Sequence, residues 1–306
     1  MAERSLLICW IRSRWRIAPL PVRKSPDTSV AASRFRRPLV KCSTDPVGAR
    51  SMACVPMVPV APHPLLCRYY AEVGERQAFV NELFNRTAYQ YRNIDKATGF
   101  GSGLWYRRKA LREAGLKAGM QVLDVACGPG LVSQCAREIV GPSGSVIGLD
   151  PSSGMLREAQ KGPCQNFVRG IGEQLPFPDQ TFDFLSMGYA LRHVSDLKTA
   201  FSEYRRVLKP GGIVLLLDIC RPRSPLLLSL SRFYIKTVMG IVFAASTGNR
   251  DMKTLMEYWW DTTEYCVPSG TILDALKEIG FSDCSLHELF NGLLRDYRAV
   301  KVEKHA

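Results

Sequence analysis

The feature that most narrows what this chain can fold into is a rhythm in its middle. Five short apolar runs, Gln121–Ala126, Ser145–Leu149, Asn166–Arg169, Phe182–Met187 and Ile213–Asp218, alternate with helical stretches near 131–140, 153–160 and 196–208. Runs of that length and apolarity predict strands buried on both faces, and the helices between them predict crossover connections. The fold class is therefore α/β, doubly wound around a mostly parallel sheet. "KPGG" (209–212) predicts a turn into the fifth strand, and the stretch from 269 to 302 predicts one more helix and two closing strands.

Two segments stand outside this rhythm. Residues 1–64 lack sustained periodicity and are rich in Arg, Pro and Ser, which predicts a disordered or presequence-like leader ahead of a domain spanning 65–306. The leader fits a mitochondrial-type presequence, or an extension upstream of a protein that begins at Met52 or Met57. Residues 219–268 interrupt the alternation with an apolar stretch, "SPLLLSLSRFYIKTVMGIVFAAS", and then an aromatic one, "LMEYWWDTTEY". Arg232 and Lys236 fall inside the first, whose uninterrupted apolar run is shorter than the ~20 residues a span needs. The expectation is a helical lid over a substrate, with peripheral membrane contact through it, and not a membrane span.

Composition excludes little but guides the choice. The net charge is +13, yet eleven of the Arg and Lys residues lie in 1–51 against only Glu3, Asp27 and Asp45. The few aromatics there are not interleaved with the charges, so no nucleic-acid partner is expected. Ten cysteines form no C-x-x-C pair and only four histidines are present. That pattern points away from a metal site and toward free thiols in a reducing compartment, the cytoplasm or, if the leader is a presequence, the mitochondrial matrix.

"VLDVACGPG" (122–130) carries the first chemistry. A strand ends in an acid, Asp124, and the loop Ala126–Gly130 is stripped of large side chains, so a ligand can approach the backbone. Asp150 ends the next strand, where an acid accepts from both hydroxyls of a ribose. A dinucleotide loop needs G-x-G-x-x-G, but Ser133 stands at the third glycine. Asp124 would repel a pyrophosphate and attract a cation. The loop thus favours a nucleoside with a positive charge, S-adenosylmethionine. An NAD-linked oxidoreductase and a non-catalytic binding or assembly protein on the same fold are the alternatives.

With "GLDPSSGML" (148–156), "LPFPDQTFD" (175–183), "ALRHV" (190–194) and "RVLKPGG" (206–212), the series resembles the class I S-adenosylmethionine-dependent methyltransferases. Among them it is most similar to the C-methyltransferases of ubiquinone and menaquinone biosynthesis, the UbiE type. "FNRTAYQY" (84–91) and "FGSGLW" (100–105) echo that family's entrance helices. The resemblance covers roughly 80–302. It implies a Rossmann-like, seven-stranded sheet with an antiparallel closing strand, and methyl transfer to a hydrophobic small molecule such as a prenylated quinol.

By position, the resemblance implies that Asp124, Ala126, Gly128 and Gly130 line the methionine end of the cofactor and that Asp150 holds the ribose. Met155, with Pro151 and Ser152, would flank the adenine. The family's polar residue for the adenine amino group is Ile171 here, so that contact passes to Gly172 and Glu173. Arg192 matches an arginine of the family, whereas the next residue, usually Asn, is His193. His193 would accept a proton from a ring hydroxyl and Arg192 would stabilise the resulting phenolate. Tyr234, Tyr258, Trp259 and Trp260 of the lid would enclose the ring, with Phe233 and Tyr265 as further aromatic candidates. Oligomeric state and acceptor atom stay open.

Overall fold

The computed structural model describes residues 59–98 and 103–302. The expected leader up to residue 58, and the 99–102 part of the "GFGSG" turn, lie outside them.

Seven strands form one sheet: β1 (Gln121–Val125), β2 (Ser145–Asp150), β3 (Phe167–Arg169), β4 (Phe182–Gly188), β5 (Leu208–Ile219), β6 (Phe281–Leu289) and β7 (Leu294–Lys301). Their spatial order is β3-β2-β1-β4-β5-β7-β6. The first five run parallel, and β7 pairs antiparallel with both β5 and β6. The expected architecture is therefore observed. β1 and β4 are neighbours although β2 and β3 intervene in the chain. That reversal of strand order opens a crevice at the carboxyl ends of β1 and β4, where sheets of this kind bind ligands.

Local sequence explains the elements. Val122, Leu123 and Val125 of β1 are completely buried, as a central strand covered on both faces requires. Asp196 and Ser152 are side-chain N-caps of the helices Leu197–Val207 and Ser153–Ala159, accepting from the Thr199 and Met155 amides. One boundary differs. "KPGG" lies inside β5, where the pairing with β4 slips between Phe182 and Phe184 and Gly211 takes φ +73°. The expected turn is a bulge, so the strand starts five residues earlier.

Before the sheet come α1 (Arg76–Thr87), α2 (Tyr91–Thr98) and α3 (Gly103–Glu113). The insertion after β5 is helical, as expected of a lid. Pro225–Arg232, a π-helical stretch Phe233–Met239 and Gly240–Thr247 follow one another without a break, and Asp251–Glu264 packs back across them. The run Pro225–Thr247 is long and apolar enough, by length and composition alone, to cross a membrane. Its two interior charges are answered inside the protein, Arg232 by Glu264 and Lys236 by Asp261. Its inner face, Ile235, Met239 and Phe243, joins Val80, Leu83 and Phe84 of α1 in a core separate from that of the sheet. The lid and the entrance helices thus fold as one cap over the crevice.

Residues 60–64, assigned by composition to the leader, belong to the fold. The Val60 amide donates to Asp196 Oδ1 at 2.6 Å, and the Val60 and Pro62 carbonyls accept from Leu197 and Val267. Backbone bonds of this kind leave no trace in composition.

Candidate active site

The cavity under the cap begins at the loop after β1. Ala126 (φ +52°) and Gly128 (φ +55°) both take the left-handed conformation and both line it. A Cβ at Gly128 would meet nothing within 4 Å, so backbone faces open space there. Asp150 stands opposite. Its Oδ2 accepts the Gly128 amide and its Oδ1 the Ser152 amide, each at 2.8 Å. Burial pushes this carboxyl up to about 6. Asn85 of α1 reaches over and accepts from the Gly154 amide at 2.8 Å, tying the cap to this loop. Pro151 and Met155 complete this wall.

Asp124 is not part of that wall. It is fully buried, with Oδ1 accepting from Ser186 of β4 (2.8 Å) and Oδ2 from Ser133 (2.5 Å) in the helix Leu131–Val140. Burial raises its pKa to about 6. The expected attraction between this acid and a sulfonium is corrected: the carboxylate binds two strands and a helix together and so positions the 126–130 loop. Gly130 also turns away. A Cβ there would come within 3.3 Å of Ala159, so the glycine serves helix packing.

Gly172 and Glu173 are likewise off the cavity. A Cβ on Gly172 would lie 2.7 Å from the Tyr204 hydroxyl, and Glu173 Oε1 accepts the Ser195 amide at 2.5 Å. They brace the loop after β4 and do not contribute to an adenine wall.

The neighbours Arg192 and His193 part company in the short 3-10 turn Leu191–His193. Arg192 is fully buried. Its Nη1 donates to Asp218 Oδ1 at 2.8 Å, and its guanidinium lies 5.2 Å from the centre of the Trp259 ring. It does not reach the cavity, which corrects its expected role on a phenolate. His193 does line the cavity, edge-on to Phe84 (5.2 Å) and stacked on Tyr258 (5.7 Å). Burial, and then the Arg192 and Arg76 charges, hold its pKa well below the usual 6.5. The imidazole is neutral at pH 7, and Nδ1 is shut off without a partner.

Of the lid aromatics only Trp259 reaches the cavity. Tyr258 and Trp260 are fully buried in the cap, the latter donating from Nε1 to Glu264 at 2.7 Å. The half-buried Tyr234 is not on the wall, and its hydroxyl donates to the Ala97 carbonyl at 3.4 Å. Phe233 and Tyr265 are exposed. In exchange, the structure adds residues that motif reading did not find. Arg107 of α3 pairs with Asp95 of α2 and lies 4.8 Å over the ring of Tyr189, itself strained at φ +61°. All three line the cavity, as does Tyr91. Their only sequence signal is that the entrance helices turn one face to the crevice.

These residues fit S-adenosylmethionine. Asp150 spends one contact per oxygen on the backbone, and a carboxylate has about four lone-pair sites, so acceptors remain for two ribose hydroxyls. The Arg107–Asp95 pair offers both signs of charge to an amino-acid group. The loop offers unobstructed backbone, and Phe84, Trp259 and His193 offer a flat apolar region beyond.

The comparisons agree. Residues 71–301 match the ubiE/COQ5 methyltransferase family. A demethylmenaquinone methyltransferase of Lactococcus lactis is 32% identical over 238 residues, covering 74% of this chain and 90% of that protein. Its counterpart in Staphylococcus aureus is 32% identical over 220 residues, 70% and 89% of the two chains. Among solved structures, a SAM-dependent methyltransferase of Aquifex aeolicus superposes with TM-score 0.51 at 20% identity, over 70% of this chain and 98% of that one. A phosphoethanolamine N-methyltransferase of Haemonchus contortus, in complex with S-adenosylmethionine, gives 0.52 at 19%, over 73% and 60%. At such identities the structural likeness shows the fold. The family match decides the chemistry against hydride transfer and against a non-catalytic role: this chain belongs to the ubiE/COQ5 methyltransferase family and is an S-adenosylmethionine-dependent methyltransferase.

Proposed function

We propose that the enzyme methylates a ring carbon of a prenylated quinol, of the kind the named relatives take. The observation that carries this reading is the continuity of one cavity. It runs from Asp150, which would hold a nucleoside, to Phe84, His193 and Trp259, where an aromatic ring could lie flat.

S-adenosylmethionine supplies an electrophilic methyl group on a sulfonium. The chain's own residues do the rest. Asp150 and the 126–128 backbone fix the nucleoside, and Arg107 with Asp95 receives its amino-acid end. Tyr91, Phe84 and Trp259 hold the ring and keep water out, which converts an encounter into an aligned displacement. Neutral His193, through Nε2, takes the proton of a ring hydroxyl, which makes the neighbouring carbon electron-rich. As the methyl group moves from sulfur to that carbon, the S–C bonding pair would stay on sulfur as a neutral thioether, the carbon's hydrogen would leave as a proton, and His193 would return its proton to the ring oxygen, restoring the aromatic quinol.

Such a substrate resides in a membrane, and the cap supports peripheral contact with one from the cytoplasmic side. Leu226, Leu230 and Phe233 are 68%, 55% and 61% exposed along one run of helix, with Ile241 and Val242 further on. Isolated exposed apolar residues are ordinary, but a ridge of them beside a substrate cavity marks an interaction face.

The test is incubation of purified protein with labelled cofactor and a short-chain demethylated quinol. Mass spectrometry should find the ring-methylated product. Binding of S-adenosylhomocysteine without turnover of any quinol would overturn the substrate and leave the family standing.

A further inference from the structure

Next to His193, among residues that do not line the cavity, lies a buried polar cluster that the proposed methyl transfer does not use. It contains Arg76, Arg192, His63, Tyr70 and Tyr258, each under 5% exposed, with His193 at its edge. Arg76 Nη2 donates to the Arg192 carbonyl, which joins α1 to the turn that carries His193. Burial and the charges of Arg76 and Arg192 push His63 down to about 4, so both imidazoles are neutral.

The charges do not balance. Of the two guanidinium groups, which cannot lose their protons, Arg192 is paired with the Asp218 carboxylate. Arg76 makes no ion pair among the described residues. Four polar atoms are buried here without a hydrogen-bond partner, Arg76 Nε, Arg192 Nε and Nη2, and His193 Nδ1, while the Tyr258 hydroxyl is within reach of Arg76 and Tyr70, and His63 of the Arg192 carbonyl. The arginine nitrogens and His193 Nδ1 can donate a hydrogen bond; His63 Nε2 cannot, because the one proton of the neutral ring sits on Nδ1 and is given to the Pro64 carbonyl at 2.7 Å. Buried charges in folded proteins are paired, because an uncompensated ion in the interior costs several kcal/mol. An excess positive charge surrounded by unpaired donors is what an anion would satisfy. Water would satisfy the donors but leave the charge.

We propose that this cluster is a binding site for one small monovalent inorganic anion, of the chloride class. A substrate oxygen is the less suitable occupant, because Trp259 forms the cavity wall and carries the Arg192 guanidinium on its ring. The anion would lock the N-terminal strap at His63, helix α1 at Arg76 and the 190–194 turn into one unit.

Thermal unfolding in chloride against gluconate at constant ionic strength tests this. Melting temperature should rise by about 3 to 5 °C per tenfold increase in chloride above saturation, the linkage expected of one bound ligand. Arg76→Met should lose that dependence. Equal melting in both salts, or an unchanged chloride response in Arg76→Met, would overturn the proposal. If the variant does not fold, diffraction from wild-type crystals soaked in bromide decides. An anomalous peak within hydrogen-bond distance of Arg76 and Arg192 supports the site. A water there, a carboxylate from elsewhere in the chain, or bromide only at the surface refutes it.

Discussion

The Asp150 carboxylate accepts the Gly128 amide at 2.8 Å, so the acid at the end of one strand holds the loop at the end of its neighbour. One side chain therefore shapes the cavity wall and, in the proposed function, would also bind the cofactor. Asp150→Asn should weaken S-adenosylhomocysteine binding by about 1.5–3 kcal/mol, the worth of hydrogen bonds to a charged group, or roughly ten- to a hundredfold. Isothermal titration measures it. Because burial holds this carboxyl at about 6, wild-type affinity should also fall as pH drops below that value.

Asp124 makes the opposite prediction. Its folded pKa, about 6, lies above the ordinary 3.8, so the folded state keeps a proton that the unfolded state has lost. The associated stability is complete below pH 3.8 and is lost as pH rises through 6. The gap corresponds to about 3 kcal/mol at most. Asp124→Asn should therefore equal or exceed wild type in stability at pH 8. Urea unfolding across pH 4–8 follows both proteins, and a large loss in the variant at pH 8 would contradict this account.

His193→Phe keeps a ring between Phe84 and Tyr258 but removes the proton acceptor. The expected outcome is a fall in kcat of roughly 10²–10⁴-fold with little change in KM. Since His193 titrates well below 6.5, wild-type kcat should stay level from pH 6.5 to 8 and decline on the acid side. A stopped-time assay over that range shows either shape.

Arg192→Met strands the buried Asp218 carboxylate. Breaking a buried pair costs about 3–5 kcal/mol, so the melting temperature should drop by several degrees or more. Arg192→Met combined with Asp218→Leu should recover part of the loss. A variant that keeps full stability and loses only turnover would instead make Arg192 a catalytic residue.

Leu230→Ser with Phe233→Ser should reduce co-flotation with phospholipid vesicles tenfold or more. Each side chain contributes about 1.5–3 kcal/mol on leaving water. Melting temperature in buffer should hardly change, because both residues are exposed.

The sheet was legible because a parallel strand buried on both faces must be largely apolar, and β1, β2 and β4 are, with Asp124, Asp150, Asp183 and Ser186 among the exceptions. Asp150 was legible for a related reason: the end of the second strand faces the crevice by topology. Asp124 was not. A carboxylate near a strand end can turn to solvent, ligand or core, and two serines, Ser133 in the helix that follows and Ser186 on the distant strand β4, decided for the core. Arg192 and His193 show the same limit over one peptide bond. In a 3-10 turn successive side chains point about a third of a revolution apart, and only the finished packing tells which one meets the cavity. Arg107 and Asp95 have no motif at all; two helices had to be docked before they became a pair.

The pinning of Val60 and Pro62 has a practical bearing on how the catalytic part can be isolated. A shortened chain starting at residue 65 would forfeit the clasp on Asp196, Leu197 and Val267 and free the segment bearing His193 to drift. A recombinant version starting at or before residue 59 retains it, so two such truncations should differ in turnover more than in cofactor affinity.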